Sequence, residues 1–97
     1  MKIALKFTYD TDIVSVPEDI GSHIKRYQER FDKWLYDKDN DHGYWVVQEG
    51  KRVAVSFDAQ AFVDYLNTVW LQDREEKAVI LQEGEKNIPT GMPLLYF

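Results

Sequence analysis

The chain has 97 residues, 44% of them hydrophobic and 14% aromatic, a composition typical of a globular protein rather than a disordered one. It contains no cysteine, which excludes disulfides, thiolate metal sites and thiol nucleophiles and is in keeping with a reducing cytoplasm. The net charge is −5 and neither half of the chain is basic, so nucleic acid is not expected as a partner, because neutralising phosphates requires a basic stripe.

The first predicted element is a strand. In KIALKFTY, residues 2–9, apolar side chains alternate with polar or small ones, which is typical of a strand with one buried face. The alternation never becomes a long apolar stretch, so the segment predicts neither a secretory signal nor a membrane span. We therefore expect a soluble, cytoplasmic protein with no membrane partner.

A helix is predicted next, beginning in SVPEDI and ending near residue 38. Ser15 can serve as its N-cap with Glu18 at the third helical position, and Pro17 falls in the first turn, where no amide donor is missed. An apolar stripe follows at helical spacing and consists of Ile20, Ile24, Tyr27, Phe31 and Leu35.

The rest of the chain predicts a hairpin, a second helix, a strand and a tail. YWVVQEGKRVAVSF has the pattern of a hairpin that turns at its Glu-Gly pair. DAQAFVDYLNTVWLQD predicts a helix capped by Asp58, with Phe62, Leu66 and Val69 as its inner stripe. KAVILQ predicts the last strand, and residues 84–97 form a loop and an apolar tail.

This order, βαββαβ plus a tail, predicts an α+β protein that is one domain over residues 1–97. It matches the split βαβ, or ferredoxin-like, arrangement, in which two helices cover one face of a four-stranded antiparallel sheet. The resemblance lies in element order alone. No family motif accompanies it, so it implies no activity.

Two registers of the hairpin remain open, and they expose different side chains. If the turn has two residues, Val46 opposes Val53, and Trp45 and Val47 face away from the helices. If it has three residues, Tyr44 and Val46 face away instead. A slip of one residue exchanges the faces, so either register leaves an aromatic residue and a valine on the open face.

The open sheet face and the tail therefore predict an apolar binding surface. Its candidate residues are Tyr44, Trp45, Val46, Val47, Ile80, Leu94, Leu95, Tyr96 and Phe97. A monomer rarely leaves such a patch bare. The cover could be the tail, folded back or added as a strand, a second copy of the chain, or a different protein or apolar ligand.

An acidic loop offers a second candidate site. Asp37, Asp39 and Asp41 alternate as the first carboxylates of a calcium-binding loop do. His42 stands where that loop needs glycine, and Gln48 stands where it needs a bidentate glutamate. The match to a calcium loop is therefore partial, and the segment is interpreted first as a solvated helix-to-strand turn, with a metal site as the alternative.

No catalytic residue and no cofactor is predicted. The serines lie outside any nucleophile elbow, and the glycines do not approach a phosphate-binding spacing. The leading hypothesis is a small binding or regulatory module that acts through protein–protein contact, with a second copy or another protein as its partner. The alternative is a small enzyme or a metal-responsive protein that uses loop 37–41.

Overall fold

The N-terminal strand belongs to a hairpin. In the computed structural model, which describes residues 1–97, β1 (Lys2–Lys6) pairs antiparallel with β2 (Thr11–Ser15). Ser15 lies opposite Lys2 in this pairing, so its prediction as a helix N-cap is wrong. The cap position is held by Pro17, which has no side chain that could accept a hydrogen bond.

The main sheet has four strands in the order β5-β2-β1-β6, where β5 is Val79–Glu85 and β6 is Leu94–Tyr96. It is mixed, because β6 runs parallel to β1 and the other pairs are antiparallel. The predicted α+β class is confirmed, but the ferredoxin-like topology and the fully antiparallel sheet are not. The tail adds to the sheet as a strand, which was one of its predicted fates.

The central hairpin forms a sheet of its own. Its strands are β3 (Trp45–Gln48) and β4 (Lys51–Val55). They cannot pair with β1, because β2 occupies one edge of that strand and β6 occupies the other. The predicted open sheet face therefore does not include the hairpin.

The first predicted helix is divided in two. A short helix, α1 (Glu18–Gly21), is followed by α2 (Ile24–Tyr36). The predicted apolar stripe is confirmed, since four of its five side chains are buried and Tyr27 packs against the core from a partly buried position.

The second helix begins as predicted and then changes its winding. Asp58 caps α3 (Ala59–Tyr65) by accepting a hydrogen bond from the Ala61 amide at 3.2 Å. A π-helical turn, Leu66–Trp70, follows directly. Its wider winding turns Val69 outward and buries Leu71 in its place, so the prediction of Val69 as a core residue is wrong.

The hydrophobic core lies between the helices and one face of the main sheet. Seventeen buried residues form it, and they come from both ends of the chain. Ile3 and Leu5 of β1 meet Leu95 of β6 there, while Phe31 of α2 and Phe62 of α3 cover them.

The hairpin turn has two residues. Gln48 pairs with Lys51, and both Glu49 (φ 52°) and Gly50 (φ 77°) have positive φ. Positive φ at both positions is the geometry of a type I′ turn, whose twist suits an antiparallel hairpin. The two-residue alternative is therefore the correct one for the turn.

A register shift then changes the pairings that this turn predicted. The irregularity lies between Val46 and Val47, and beyond it Val46 opposes Ala54 while Trp45 opposes Val55. The predicted pairing of Val46 with Val53 is wrong because a β-bulge adds a residue to one strand.

Candidate protein-binding surface

The β3–β4 hairpin carries exposed aliphatic side chains that no other element covers. Val47 is 57% exposed, Val53 is 53% exposed, and Val46 is exposed as well. The two strands pair with each other, and neither packs extensively against a strand or helix outside the hairpin, although Val55 at its base reaches the core. An isolated two-stranded sheet is only marginally stable in water, so this hairpin must be held from its base.

The acidic loop holds that base. The indole nitrogen of Trp45 donates a hydrogen bond to the Asn40 carbonyl at 2.7 Å. The Arg52 guanidinium donates to the carbonyls of Lys38 and Asn40 and lies 5.4 Å from the centroid of the Trp45 ring. These contacts hold Trp45, at the start of β3, and the side chain of Arg52, the second residue of β4, against the acidic loop.

The same loop also caps the C-terminus of α2. The Asn40 side-chain amide donates to the Trp34 carbonyl at 2.9 Å, and the Nε2 atom of His42 lies 2.6 Å from the Leu35 carbonyl oxygen. The His42 ring stacks on Trp45, with centroids 4.8 Å apart. The acidic loop thus supplies hydrogen-bond partners to the last carbonyls of α2 and also contacts the base of the hairpin.

The aspartates predicted as cation ligands do not share a site. The Asp37 carboxylate accepts a hydrogen bond from the Asp39 amide at 3.0 Å, and Asp41 forms an ion pair with Arg52. No group of three or more His, Cys, Asp or Glu side chains is placed to hold a metal ion. Arg52 of the same chain thus neutralises one of the three carboxylates in this loop, that of Asp41.

Tyr44 joins the hairpin base to α3. Its hydroxyl donates a hydrogen bond to the Asp64 carboxylate at 3.1 Å, and the Gln60 side chain donates to the other oxygen of that carboxylate at 2.8 Å. Burial raises the pKa of Tyr44 to about 12, and the hydrogen bond and negative charge of Asp64 act in the same direction.

We predict that replacing Tyr44 by phenylalanine removes a tyrosine ionisation near pH 12. A free tyrosine has a pKa of about 10, so the unfolded chain loses this proton before the folded protein does. The contribution that this raised pKa makes to stability is therefore fully present below about pH 10, and it is lost as the pH rises from about 10 to 12. Phenolate absorbance in a pH titration measures this ionisation.

Tyr9→Phe is the matched control for this titration, because Tyr9 is 89% exposed and is not part of the hairpin base. The control variant should keep the ionisation near pH 12. An unchanged amplitude at that pH in Tyr44→Phe would contradict the assignment.

The structure separates the other predicted surface residues. Ile80 lies in β5 and packs against the core, while Leu94, Leu95 and Tyr96 form β6 at the opposite edge of the sheet. Leu95 is buried and Tyr96 is exposed. The predicted residues therefore occupy three places, and only the hairpin members expose a group of aliphatic side chains.

An aromatic cleft was not found from the sequence. Phe97 stacks on Phe7 with centroids 5.1 Å apart, and Phe57 meets Phe7 edge-on at 6.3 Å. These rings line a cavity of about 470 Å³ whose rim includes three aspartates, Asp10, Asp12 and Asp58. No local signal could have grouped them, because the cleft exists only once β6 has paired with β1.

Comparisons with protein-family models, with curated proteins and with solved structures found no match. None of the helices has the length and apolar character that crossing a membrane requires. Function is therefore inferred from the exposed surfaces and their chemistry.

Proposed function

We propose that the protein is a protein-binding module that associates with a second copy of itself through the β3 edge of the hairpin. One observation carries this proposal: a two-stranded sheet with exposed valines stands apart from the main sheet. The expected location is the cytoplasm, since a chain without cysteine suits a reducing compartment.

The two edges of the hairpin differ in charge. The β4 edge carries Lys51 and Arg52, whereas the β3 sequence WVVQ contains no charged residue. Charged side chains on a free edge discourage pairing with other strands, and lysine is a common choice. The β3 edge lacks this protection, so it is the better candidate for contact.

A second copy is the partner that best suits this edge. Two β3 strands related by a two-fold axis can pair antiparallel, which turns two marginal hairpins into one four-stranded sheet. Such a contact also gives the exposed valines apolar neighbours. The β3 edge has no charge that would repel its own copy.

Val47→Lys tests the proposal. We expect the wild-type chain to sediment as a dimer and this variant to dissociate about tenfold or more readily, because a charge on the pairing strand opposes contact. Val69→Lys is the matched control, since Val69 is exposed on the π-helical turn away from the hairpin. Analytical ultracentrifugation over a concentration series measures the association.

A monomeric wild-type protein throughout the series would overturn self-association. Equal dissociation of the Val47→Lys and Val69→Lys dimers would overturn the assignment to β3. Circular dichroism checks that both variants keep the fold of the wild-type chain.

A further inference from the structure

A groove runs between β5 and α3 and follows the edge of the strand. It encloses about 660 Å³. One wall consists of six successive residues, Ala78–Glu83, and the other of Gln60, Val63 and Asn67. Successive residues of a strand point to opposite faces, so a cavity lined by all of them lies against the backbone edge.

The side chain of Asn67 already pairs with the backbone of Ala78, the residue directly before β5. Its Nδ2 atom donates a hydrogen bond to the Ala78 carbonyl at 2.9 Å, and its Oδ1 atom accepts one from the Ala78 amide at 2.8 Å. This is the pattern that a neighbouring strand would supply. The backbone edge of β5 therefore faces the groove, and no strand lies on that side of β5.

Apolar side chains border the groove where a further strand would lie. Val79 is 49% exposed and Leu81 is 51% exposed. Added strands gain affinity from main-chain hydrogen bonds and specificity from contacts with alternate side chains. The edge thus offers both kinds of contact to an extended peptide.

The groove continues into the aromatic cleft through a third cavity of about 330 Å³. This cavity shares Gln60, Ile80 and Glu83 with the groove. It shares Asp10, Asp12 and Asp58 with the cleft. The acidic groups on this path are Glu83 in the groove and Asp10, Asp12 and Asp58 around the cleft, and no lysine or arginine lines any of the three cavities. Lys6 lies beside the cleft, with its ammonium group bonded to the Phe7 and Thr8 carbonyls. The excess of carboxylates at the cleft end favours a positively charged occupant there.

The cleft at the end of this path suits a long basic side chain. Its floor is made by the rings of Phe7, Phe57 and Phe97. Lysine and arginine bury an aliphatic stem against such surfaces while their charged ends stay near polar groups. An aromatic face also attracts the cationic end.

We infer that the β5 edge binds an extended peptide segment as an added strand and that the aromatic cleft takes a lysine or arginine side chain of that segment. This site lies on different elements from the hairpin. It is independent of the proposed self-association and would remain if that proposal failed.

The probe is a fluorescein-labelled decapeptide of alternating valine and arginine, with fluorescence anisotropy as the readout. We expect saturable binding to the wild-type chain, and about tenfold weaker binding when glutamate replaces arginine. Two further peptides have the same sequence and carry N-methyl groups at alternate residues, each on a different backbone edge. The peptide methylated on the edge that faces β5 should bind about tenfold more weakly, because it cannot pair fully with the strand.

Two charge-matched variants test the position of the site. The double variant Asp10→Asn and Glu83→Gln should weaken binding of the arginine peptide about tenfold. The control, Glu29→Gln with Glu49→Gln, changes the net charge equally at exposed positions outside the three cavities and should bind as the wild type does.

Three outcomes would overturn the inference. The first is no binding of the arginine peptide at millimolar concentration. The second is that both N-methylated peptides bind as tightly as the unmethylated peptide, which would exclude strand addition. The third is equal loss of affinity in the two double variants, which would reveal attraction to net charge alone. None of these results bears on the hairpin, whose association is measured without peptide.

Discussion

Replacing Leu95 by alanine should lower the free energy of unfolding by about 2–5 kcal/mol, the range for removing a buried leucine side chain. Leu95 is 1% exposed and lies opposite Leu5 in the parallel pair of β6 with β1. The core relaxes only partly around the lost atoms, and the remaining cavity adds to the lost burial. Typical domains unfold at a cost of about 5–15 kcal/mol, so this is a large share.

Urea unfolding followed by tryptophan fluorescence measures this change. Tyr96→Ala is the control, because Tyr96 is the next residue of the same strand and is 65% exposed. It should change stability by less than about 1 kcal/mol. Equal effects of the two substitutions would show that the tail does not contribute to the core in solution.

Replacing Phe31 by alanine should cost about 3–5 kcal/mol of stability, as for other buried phenylalanines. Phe31 is fully buried at the centre of an aromatic cluster. Its ring centroid lies 5.2–6.1 Å from those of five other rings, which belong to Trp34, Phe57, Phe62, Tyr65 and Phe97. The loss therefore includes aromatic contacts in addition to the buried area.

The control for Phe31 is Tyr36→Ala at the end of the same helix. Tyr36 is exposed, so its loss should change the unfolding free energy by less than about 1 kcal/mol. The near-ultraviolet circular dichroism signal of the aromatic side chains should weaken in Phe31→Ala and persist in the control. A Phe31→Ala variant as stable as the control would contradict the observed packing.

Local patterns predicted the helices well. The stripe from Ile20 to Leu35 identified the buried side chains of α1 and α2, because side-chain spacing alone determines which residues share a helix face. Asp58 was identified as a cap because capping depends on adjacent backbone groups. Val69 failed because a π-helical turn changes the spacing, and the sequence carries no clear mark of that change.

The arrangement of the sheet was harder to predict because it depends on distant pairings. Ser15 and Pro17 resemble a helix start, and that resemblance hid the short strand β2. Once β2 and β6 have paired with β1, that strand has no free edge for the hairpin. The pairing of Leu95 with Leu5 joins the two ends of the chain, and no local sequence pattern predicts it.

The candidate surface was predicted in part. Val46 and Val47 were named from the sequence and are exposed, but their setting was assigned to the open face of the main sheet. Tyr44 and Trp45 were named with them and are partly buried at the hairpin base. The ion pair of Arg52 with Asp41 of the acidic loop was not predicted, since the two segments meet only after the hairpin folds back. The basic-peptide groove likewise depends on tertiary contacts.

One measurement tests the proposed β3 contact most directly. The chain has no cysteine, so Lys51→Cys provides a single attachment point for a nitroxide label near the hairpin tip. Paired β3 edges predict one narrow distance distribution between labels on two copies, measured by pulsed electron resonance. Adding Val47→Lys to the labelled variant should weaken this signal at the same protein concentration. A labelled Lys51→Cys sample that keeps Val47 and shows no intermolecular distance would contradict the proposed hairpin contact.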